Sequence, residues 1–408
     1  MLIVLSFFLL FSLFDAFVEI LNMRHARKEG LPEEFRGFCD EEKYQQSQKY
    51  LIENTRFSLW STAFSVVVTI FFIIFGGFAF IDEWARSFEF GMIITGLIFI
   101  FTLGFLSWIT QLPFSFYHTF VLEEKYGFNK TTIKTYITDL LKGTLLGLLI
   151  GAPLLSAVLW FFAAAGDRAW IYAWGMLIIA QIFFLFIAPI WIMPLFNRFV
   201  PLAEGELKEA IEKYANKQQF KLKGIFTMDG SKRSTKANAF FTGFGRFRRI
   251  VLFDTLLEKH NTNELVAVLA HEIGHFKKKH VIKFLFISLI SSGLMFYVFS
   301  LGINHDFLFS AFAVPEKSIY ASLVFLAFLY SPISMILGVI TNSLSRKFEF
   351  EADNYAATTT GAAQDLIIAL KKLSIDSLSN LNPHPLKVFL EYSHPPVSAR
   401  IKKLSIYG

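Results

Sequence analysis

Cysteine is nearly absent from the chain: Cys39 is the only one in 408 residues. An internal disulfide is therefore excluded, and so is a metal site built from thiolates. Any metal here is held by His, Asp or Glu. Charge is scarce too, at 18% of residues against 54% hydrophobic. A chain of that balance dissolved in water would expose large apolar patches and aggregate. The 50 Phe exceed what the core of a soluble enzyme needs, and lipid is the fitting solvent for much of the sequence. The net charge is +6. No aromatic–basic reading module accompanies it, so nucleic acid is not an expected partner. Internal repeats and low-complexity tracts are also missing.

A helix needs about 20 apolar residues to cross the hydrocarbon core. Seven stretches qualify, near Leu2–Leu21, Leu59–Ile81, Gly91–Ile109, Leu140–Ala164, Trp170–Met193, Val281–Leu301 and Ile319–Thr341. The first lacks a basic leading region and a small-residue cleavage site, so it reads as an anchor. Lys and Arg concentrate in 24–56, 125–142, 198–283 and the C-terminal tail, whereas the alternate loops carry only Arg86, Arg168 and Lys317. The positive-inside rule then places the N-terminus outside and the tail in the cytosol. The expected organisation is spans one to five with cytosolic loops over 1–195, a soluble catalytic insert over 196–280, spans six and seven over 281–345, and a cytosolic segment over 346–408 that completes the site.

Within the insert, Gly205–Gln218 has the pattern of an amphipathic helix, and Phe220–Met228 alternates like a strand. Asp229-Gly-Ser231 is a turn signal, and Asn238–Thr242 and Arg249–Phe253 suit further strands. Asn261 is placed to cap a helix, with Glu264 reaching back to it. The apolar run Leu265–Ala270 leads from there into His271.

His271 and His275 stand four apart in His271-Glu-Ile-Gly-His275. At 3.6 residues per turn they share one helix face, and two imidazoles so placed can bind one Zn²⁺. Glu272 lies beside them, within reach of a proton on an activated water. Chance produces this pattern in on the order of one such chain in a hundred. The plain alternative is two surface histidines on an amphipathic helix, against which the preceding apolar run argues. A third ligand is available in Phe348-Glu349-Phe350-Glu351-Ala352-Asp353, on the same side of the membrane. Glu349 is placed to ligate, and Asp353, four residues on, to hold the N–H of a liganding His. Glu351 faces elsewhere on that helix and is the weaker ligand. The alternative is a solvated acidic run beside Arg346 and Lys347.

Four further runs accompany the motif: Leu112–Lys130, Ser231–Gly243, Arg346–Asp353 and Ser393–Ile401. With them the chain resembles, over essentially its whole length, the type I CAAX prenyl proteases, integral-membrane zinc metalloproteases of the a-factor-converting-enzyme type. The resemblance implies one zinc per chain on His271, His275 and Glu349, with Glu272 as catalytic base. It implies that Asn238 and Ala239 lie on an edge strand that pairs with an extended substrate. His394 and Arg400 match residues that bind substrate or stabilise the oxyanion. The implied fold is mainly α and multi-pass: seven transmembrane helices around an intramembrane chamber, with a cytosolic-side zincin-like metalloprotease domain containing a small β-sheet. The expected partners are a peptide or protein substrate, prenylated or not, and the lipid bilayer.

Three alternatives stay open. A membrane-protein quality-control zinc protease shares the chemistry and differs in substrate. An intramembrane site-2 protease needs an Asp ligand inside an apolar span, whereas Glu349 follows one, and Lys277, Lys278 and Lys279 keep His275 near the interface. A zinc-binding scaffold or transporter has no use for Glu272, because a structural site closes with four protein ligands. Small outer loops and the tail Ser405-Ile-Tyr-Gly408, without a dilysine-like signal, favour a bacterial inner membrane over the endoplasmic reticulum. Whether prenylation is required stays open with that choice.

Overall fold

The computed structural model describes residues 1–242 and 249–407. Helices α1 (Leu2–Lys28) and α2 (Glu41–Ile74) lead to a short α3 (Gly77–Arg86) and then to α4 (Met92–Tyr117), α5 (Ile133–Ala164) and α6 (Ala169–Ile187). A four-residue α7 (Met193–Phe196) precedes β1 (Phe199–Pro201), α8 (Glu206–Lys217), β2 (Gly224–Met228), β3 (Ala239–Thr242) and β4 (Arg249–Phe253). Then come α9 (Asp254–Leu257), α10 (Thr262–Lys277), α11 (His280–Gly302), α12 (Asp306–Ala311), α13 (Ile319–Leu329) and α14 (Ser331–Thr360). The chain closes with α15 (Ala363–Asp376), α16 (Pro385–Glu391) and α17 (Val397–Leu404).

Among the described residues, six helices are long and apolar enough to cross a bilayer, and α13 with α14 makes a seventh span if the two, bent by 52°, are read together. The bend sits at Tyr330, so the predicted span Ile319–Thr341 is a broken one. The second span also differs from its prediction through Ile81. It stops at Ile74, because Gly76 turns the chain with φ 70, a conformation that only glycine takes readily.

The spans form a ring. α1 packs on α2, α2 on α4, α4 on α5, α5 on α6, α6 on α11 and α11 on α14, and α16 joins α14 back to α1. Two hydrophobic cores lie at opposite ends of that ring. One gathers Val4, Ile73, Phe99, Leu159, Phe299, Phe312 and Phe325, from one end of the spans and from α12 and α13. The other gathers Phe35, Ile211, Phe220, Ile225, Leu252, Leu269, Ile273 and Leu366 around the sheet and α10. Between them, residues 56–72, 100–117, 133–158 and 174–187 include no buried position. Only 6% to 22% of each apolar window is buried. Helices packed on a common axis would bury one face throughout, so these spans stand around an open chamber, one face toward lipid and one toward the interior.

The sheet has the order β1-β2-β4-β3, with β2 parallel to β4 and the outer strands antiparallel. The strand expected from Phe220 begins only at Gly224. β4 has its predicted bounds, and α8 lies one residue inside its predicted ends at each side. The short β1 and the last three helices are not among the elements expected from the sequence, although α15 buries Ala363, Leu366, Ile367 and Leu370 at helical spacing.

Candidate metal centre

Helix α10 carries the His-Glu motif on a firmly started first turn. Asn261 Oδ1 accepts the Glu264 backbone N–H at 2.9 Å, as expected of a cap. The Glu264 side chain reaches back to the Asn261 side chain (3.0 Å) instead of its backbone, and it also meets His260 Nδ1 at 2.8 Å and Lys372 Nζ at 2.7 Å. Helix α14 brings the other half of the site. It crosses α10 at Gly274, where a Cβ would lie 3.1 Å from both the Cα and the carbonyl oxygen of Ala352. The missing side chain lets the two backbones meet, and that contact sets Glu349 and Asp353 opposite the histidines.

His271 Nε2 and His275 Nε2 are 3.1 Å apart. Glu349 Oε1 is 3.2 Å from His275 Nε2, and Glu349 Oε2 is 3.5 Å from His271 Nε2. Tetrahedral zinc, with bonds of about 2.0–2.1 Å, has ligand-to-ligand edges of about 3.3–3.4 Å. The three separations straddle that value. Glu349 Oε2 is buried without a hydrogen bond and is held by ion-pair contacts alone, to Arg400 Nη1 at 3.2 Å and to His271 Nε2 at 3.5 Å. Two imidazole nitrogens facing each other beside such an oxygen are a donor set that a small cation satisfies, and His₂Glu suits zinc.

The other nitrogen of His271 is committed. Its Nδ1 lies 2.9 Å from Asp353 Oδ1, and Arg400 grips Asp353 through Nε at 2.8 Å and Nη2 at 2.6 Å. All three side chains are buried. Burial disfavours the charge on Arg400, but Asp353, Glu349 and Glu272 outweigh it and hold the guanidinium above its ordinary value. Burial also disfavours charge on His271, yet the hydrogen bonds to Asp353 and Glu349 push its pKa up to about 9. With Nδ1 turned to Asp353, Nε2 is the nitrogen left to face a cation.

A cleft of about 390 Å³ opens over these groups, bordered by Asn238, Ala239, His271, Glu272, His275, Glu349, His394 and Arg400. Every residue predicted for the site thus borders one space except Asp353, which sits behind it. Glu272 is half-buried there. His394 is more exposed, with Nε2 3.4 Å from Glu349 Oε1 and Nδ1 3.0 Å from Ser393 Oγ. Arg400 borders the cleft, and its donors reach Asp353 and Glu349. Glu351 is not in the ligand set but bonds His280 Nε2 at 3.0 Å.

β3 borders the cleft as an edge strand. The Phe253 N–H donates to Asn238 O at 3.0 Å, which makes 238 and 253 a hydrogen-bonded pair in the antiparallel ladder. By alternation Phe240 also faces β4, while Ala239 and Phe241 turn their N–H and C=O groups outward. Asn238 Oδ1 accepts the Ala239 N–H at 2.9 Å, in the place an incoming carbonyl would take.

The segment before β3 is pinned to the membrane loops by residues the sequence does not flag. Arg233 bonds Asp139 at 2.8 and 3.0 Å and Phe196 O at 2.8 Å. Lys236 bonds Glu123 at 2.8 Å and Tyr50 Oη at 3.0 Å. The Lys236–Glu123 contact joins the run Ser231–Gly243, whose last residue lies outside the described ones, to the run Leu112–Lys130, and the others tie it to α2, α5 and α7. The partners Asp139 and Glu123 are 94 and 113 residues away in sequence, where no local period reaches. Arg346 likewise fastens α14 to Val388 O at 2.8 Å and Tyr392 O at 2.6 Å, just before Ser393 and His394.

The family model described as Peptidase family M48 matches residues 201–407, and one described as the CAAX prenyl protease N-terminal region with five membrane helices matches 21–198. The chain belongs to peptidase family M48. It is therefore a metalloprotease, and its spans make it a multi-pass integral membrane one. The CAAX prenyl protease 1 homolog of Arabidopsis thaliana is 33% identical, covering 98% of this chain and 96% of that protein. The CAAX prenyl protease 1 of Saccharomyces cerevisiae is 34% identical, covering 96% and 92%. The crystal structure of S. mikatae Ste24p matches with a TM-score of 0.94 at 33% identity, covering 99% of this chain and 98% of that one. The M48 family implies a metal, and His271, His275 and Glu349 are the group placed to hold one.

Proposed function

We propose that this M48 protease cleaves peptide bonds near the C-terminus of prenylated CAAX-type proteins, with one zinc ion held by His271, His275 and Glu349. The observation that carries the reading is the conjunction, in one cleft, of this three-ligand set, Glu272 and an open strand edge. Three protein ligands leave a position for a reactant, unlike a closed structural site. Zinc bound there supplies Lewis acidity to a water and to the scissile carbonyl.

The chain's own residues supply the rest. Ala239 and Phe241 offer outward backbone groups, which pair with an extended substrate and align its scissile bond across the cleft. A substrate carbonyl takes over the Ala239 N–H from Asn238. Glu272, one residue after His271 and open to the cleft, accepts the proton of the attacking water and passes it to the leaving amine. His394, at the cleft rim, donates from Nε2 to the carbonyl oxygen as it gains charge. Asp353 and Arg400 act as positioning residues: Asp353 holds His271 by Nδ1–H, and Arg400 holds both Asp353 and Glu349. The basic loops place the cleft on the cytosolic side and the N-terminus outside. A bacterial inner membrane is the setting that the sequence favours.

A competition assay tests the substrate. Purified protein in detergent is given a farnesylated CAAX peptide, its unprenylated counterpart and an unprenylated misfolded membrane protein. Preferential cleavage of the farnesylated peptide, abolished by a chelator and restored by zinc, is expected. Cleavage of the misfolded protein alone would replace this reading with quality control.

A further inference from the structure

The two histidines of the proposed metal site are held differently. His271 leans on a carboxylate, Asp353, directly. His275 does not: its Nδ1 faces the Nδ1 of a third histidine, His280, at 3.0 Å. His280 in turn places Nε2 3.0 Å from Glu351 Oε2. It is 1% exposed, and its ring lies flat on Phe348, with centroids 4.2 Å apart and planes 6° apart.

The chain takes an unusual turn to put it there. α10 ends at Lys277 and α11 begins at His280, and of the two residues between them Lys279 has φ 58. A side-chain-bearing residue in the left-handed region is disfavoured, because its Cβ crowds the following carbonyl oxygen. That strain reverses the chain tightly enough to fold the first residue of a membrane span back over His275. Observed strain of this kind is a reason to look for function.

We infer that His280 and Glu351 are positioning residues that fix the tautomer and orientation of His275 for the metal, as Asp353 does for His271. The inference rests on the proposed ligand set. The proton assignment follows from geometry. His275 Nε2 faces His271 Nε2 and Glu349, so it must be unprotonated to ligate. A neutral His275 then carries its proton on Nδ1. Two Nδ1 atoms 3.0 Å apart share one hydrogen, so His280 Nδ1 is the acceptor. A neutral His280 carries its own proton on Nε2 and donates it to Glu351. One arrangement satisfies every nitrogen. It also gives Glu351 a place two residues from Glu349 that its helix face denies it as a ligand. Because His280 opens α11, the same contact ties the sixth span to the metal.

Cobalt binding to the full chain in detergent tests this, with affinity from chelator competition and the visible absorption of bound cobalt as readouts. His280→Phe keeps a ring against Phe348 and removes the acceptor. It is expected to weaken cobalt binding by about 10–100-fold and to alter the cobalt spectrum. His280→Asn places a carbonyl oxygen near the lost Nδ1 and is expected to restore most of the affinity. Glu351→Ala is expected to weaken binding by about 10-fold, the lower end of that range. It also carries the test if His280→Phe does not fold, since Glu351 is partly exposed. Wild-type affinity and spectrum in His280→Phe, or in Glu351→Ala should the former not fold, overturn the inference. Equal loss in His280→Phe and His280→Asn does so too, because packing would then be the role. If the wild-type chain binds no cobalt, the ligand set itself fails, which is a distinct result.

Discussion

Replacing Asp353 by Ala removes the partner of two buried cations-to-be at once. The carboxylate is 2% exposed and takes hydrogen bonds from Arg400 Nε at 2.8 Å, Arg400 Nη2 at 2.6 Å and His271 Nδ1 at 2.9 Å. Without it, a buried guanidinium keeps only Glu349 at 3.2 Å, and the His271 N–H has no acceptor. Breaking a buried ion pair from one side costs about 3–5 kcal/mol. The remaining Glu349 contact argues for the lower end of that range. Removing the group that orients a metal ligand costs about 10–100-fold in metal affinity. Asp353→Ala is therefore expected to lower both the thermal midpoint in detergent and the zinc affinity measured by chelator competition. Asp353→Asn keeps an acceptor for His271 and should lose less affinity than Asp353→Ala. Adding Arg400→Met to Asp353→Ala should recover part of the stability, because the buried guanidinium that lost its bidentate partner is then gone, while Glu349 keeps His271 and His275. A wild-type midpoint and affinity in Asp353→Ala, or strict additivity in the double variant, would refute the reasoning.

Two further outcomes follow from the packing of α10. Gly274→Val pushes side-chain atoms into the Ala352 backbone and separates α10 from α14. Overpacking of this kind costs about 1–3 kcal/mol, and the separation also dilates the ligand set, so zinc content per purified chain should fall. His260 supplies a pH dependence. Burial lowers its pKa below the ordinary 6.5, with Lys372 adding to that and Glu264 opposing it. A depressed folded pKa means that the stability is present above pH 6.5 and is lost as pH falls through the folded value. The difference in thermal midpoint between wild type and His260→Gln should therefore shrink from pH 7.5 to 5.5, and a constant difference would count against it.

How much of this was legible beforehand depended on distance along the chain. The spans, α8, β4 and the cap at Asn261 announce themselves within a few residues, by hydropathy, by period or by a side chain reaching its own helix. His271, Glu272 and His275 lie on one turn and are readable for the same reason. Glu349 is readable as an acid on a helix after a span, four residues before Asp353, and the resemblance points to the same ligand role. The anchors Arg233 and Lys236 pair across long stretches of chain, and nothing near them marks the partner. His280 is closer, five residues past His275, but it lies beyond a helix break at Lys279 that no propensity predicts. The broken spans at Gly76 and Tyr330 do carry local signals, Gly76-Gly77 and Pro332, which the apolar sequence on either side outweighs in a hydropathy reading.

The central claim is that a metal held by His271, His275 and Glu349 works with Glu272 as its base. Glu272→Gln tests it most directly, because the amide keeps the shape and removes the proton acceptor. Metal analysis and peptide cleavage are measured on the same purified protein. The account predicts one zinc per chain, as in wild type, with cleavage reduced by about 10²–10⁴-fold. Cleavage at the wild-type rate in a zinc-loaded Glu272→Gln chain would contradict it.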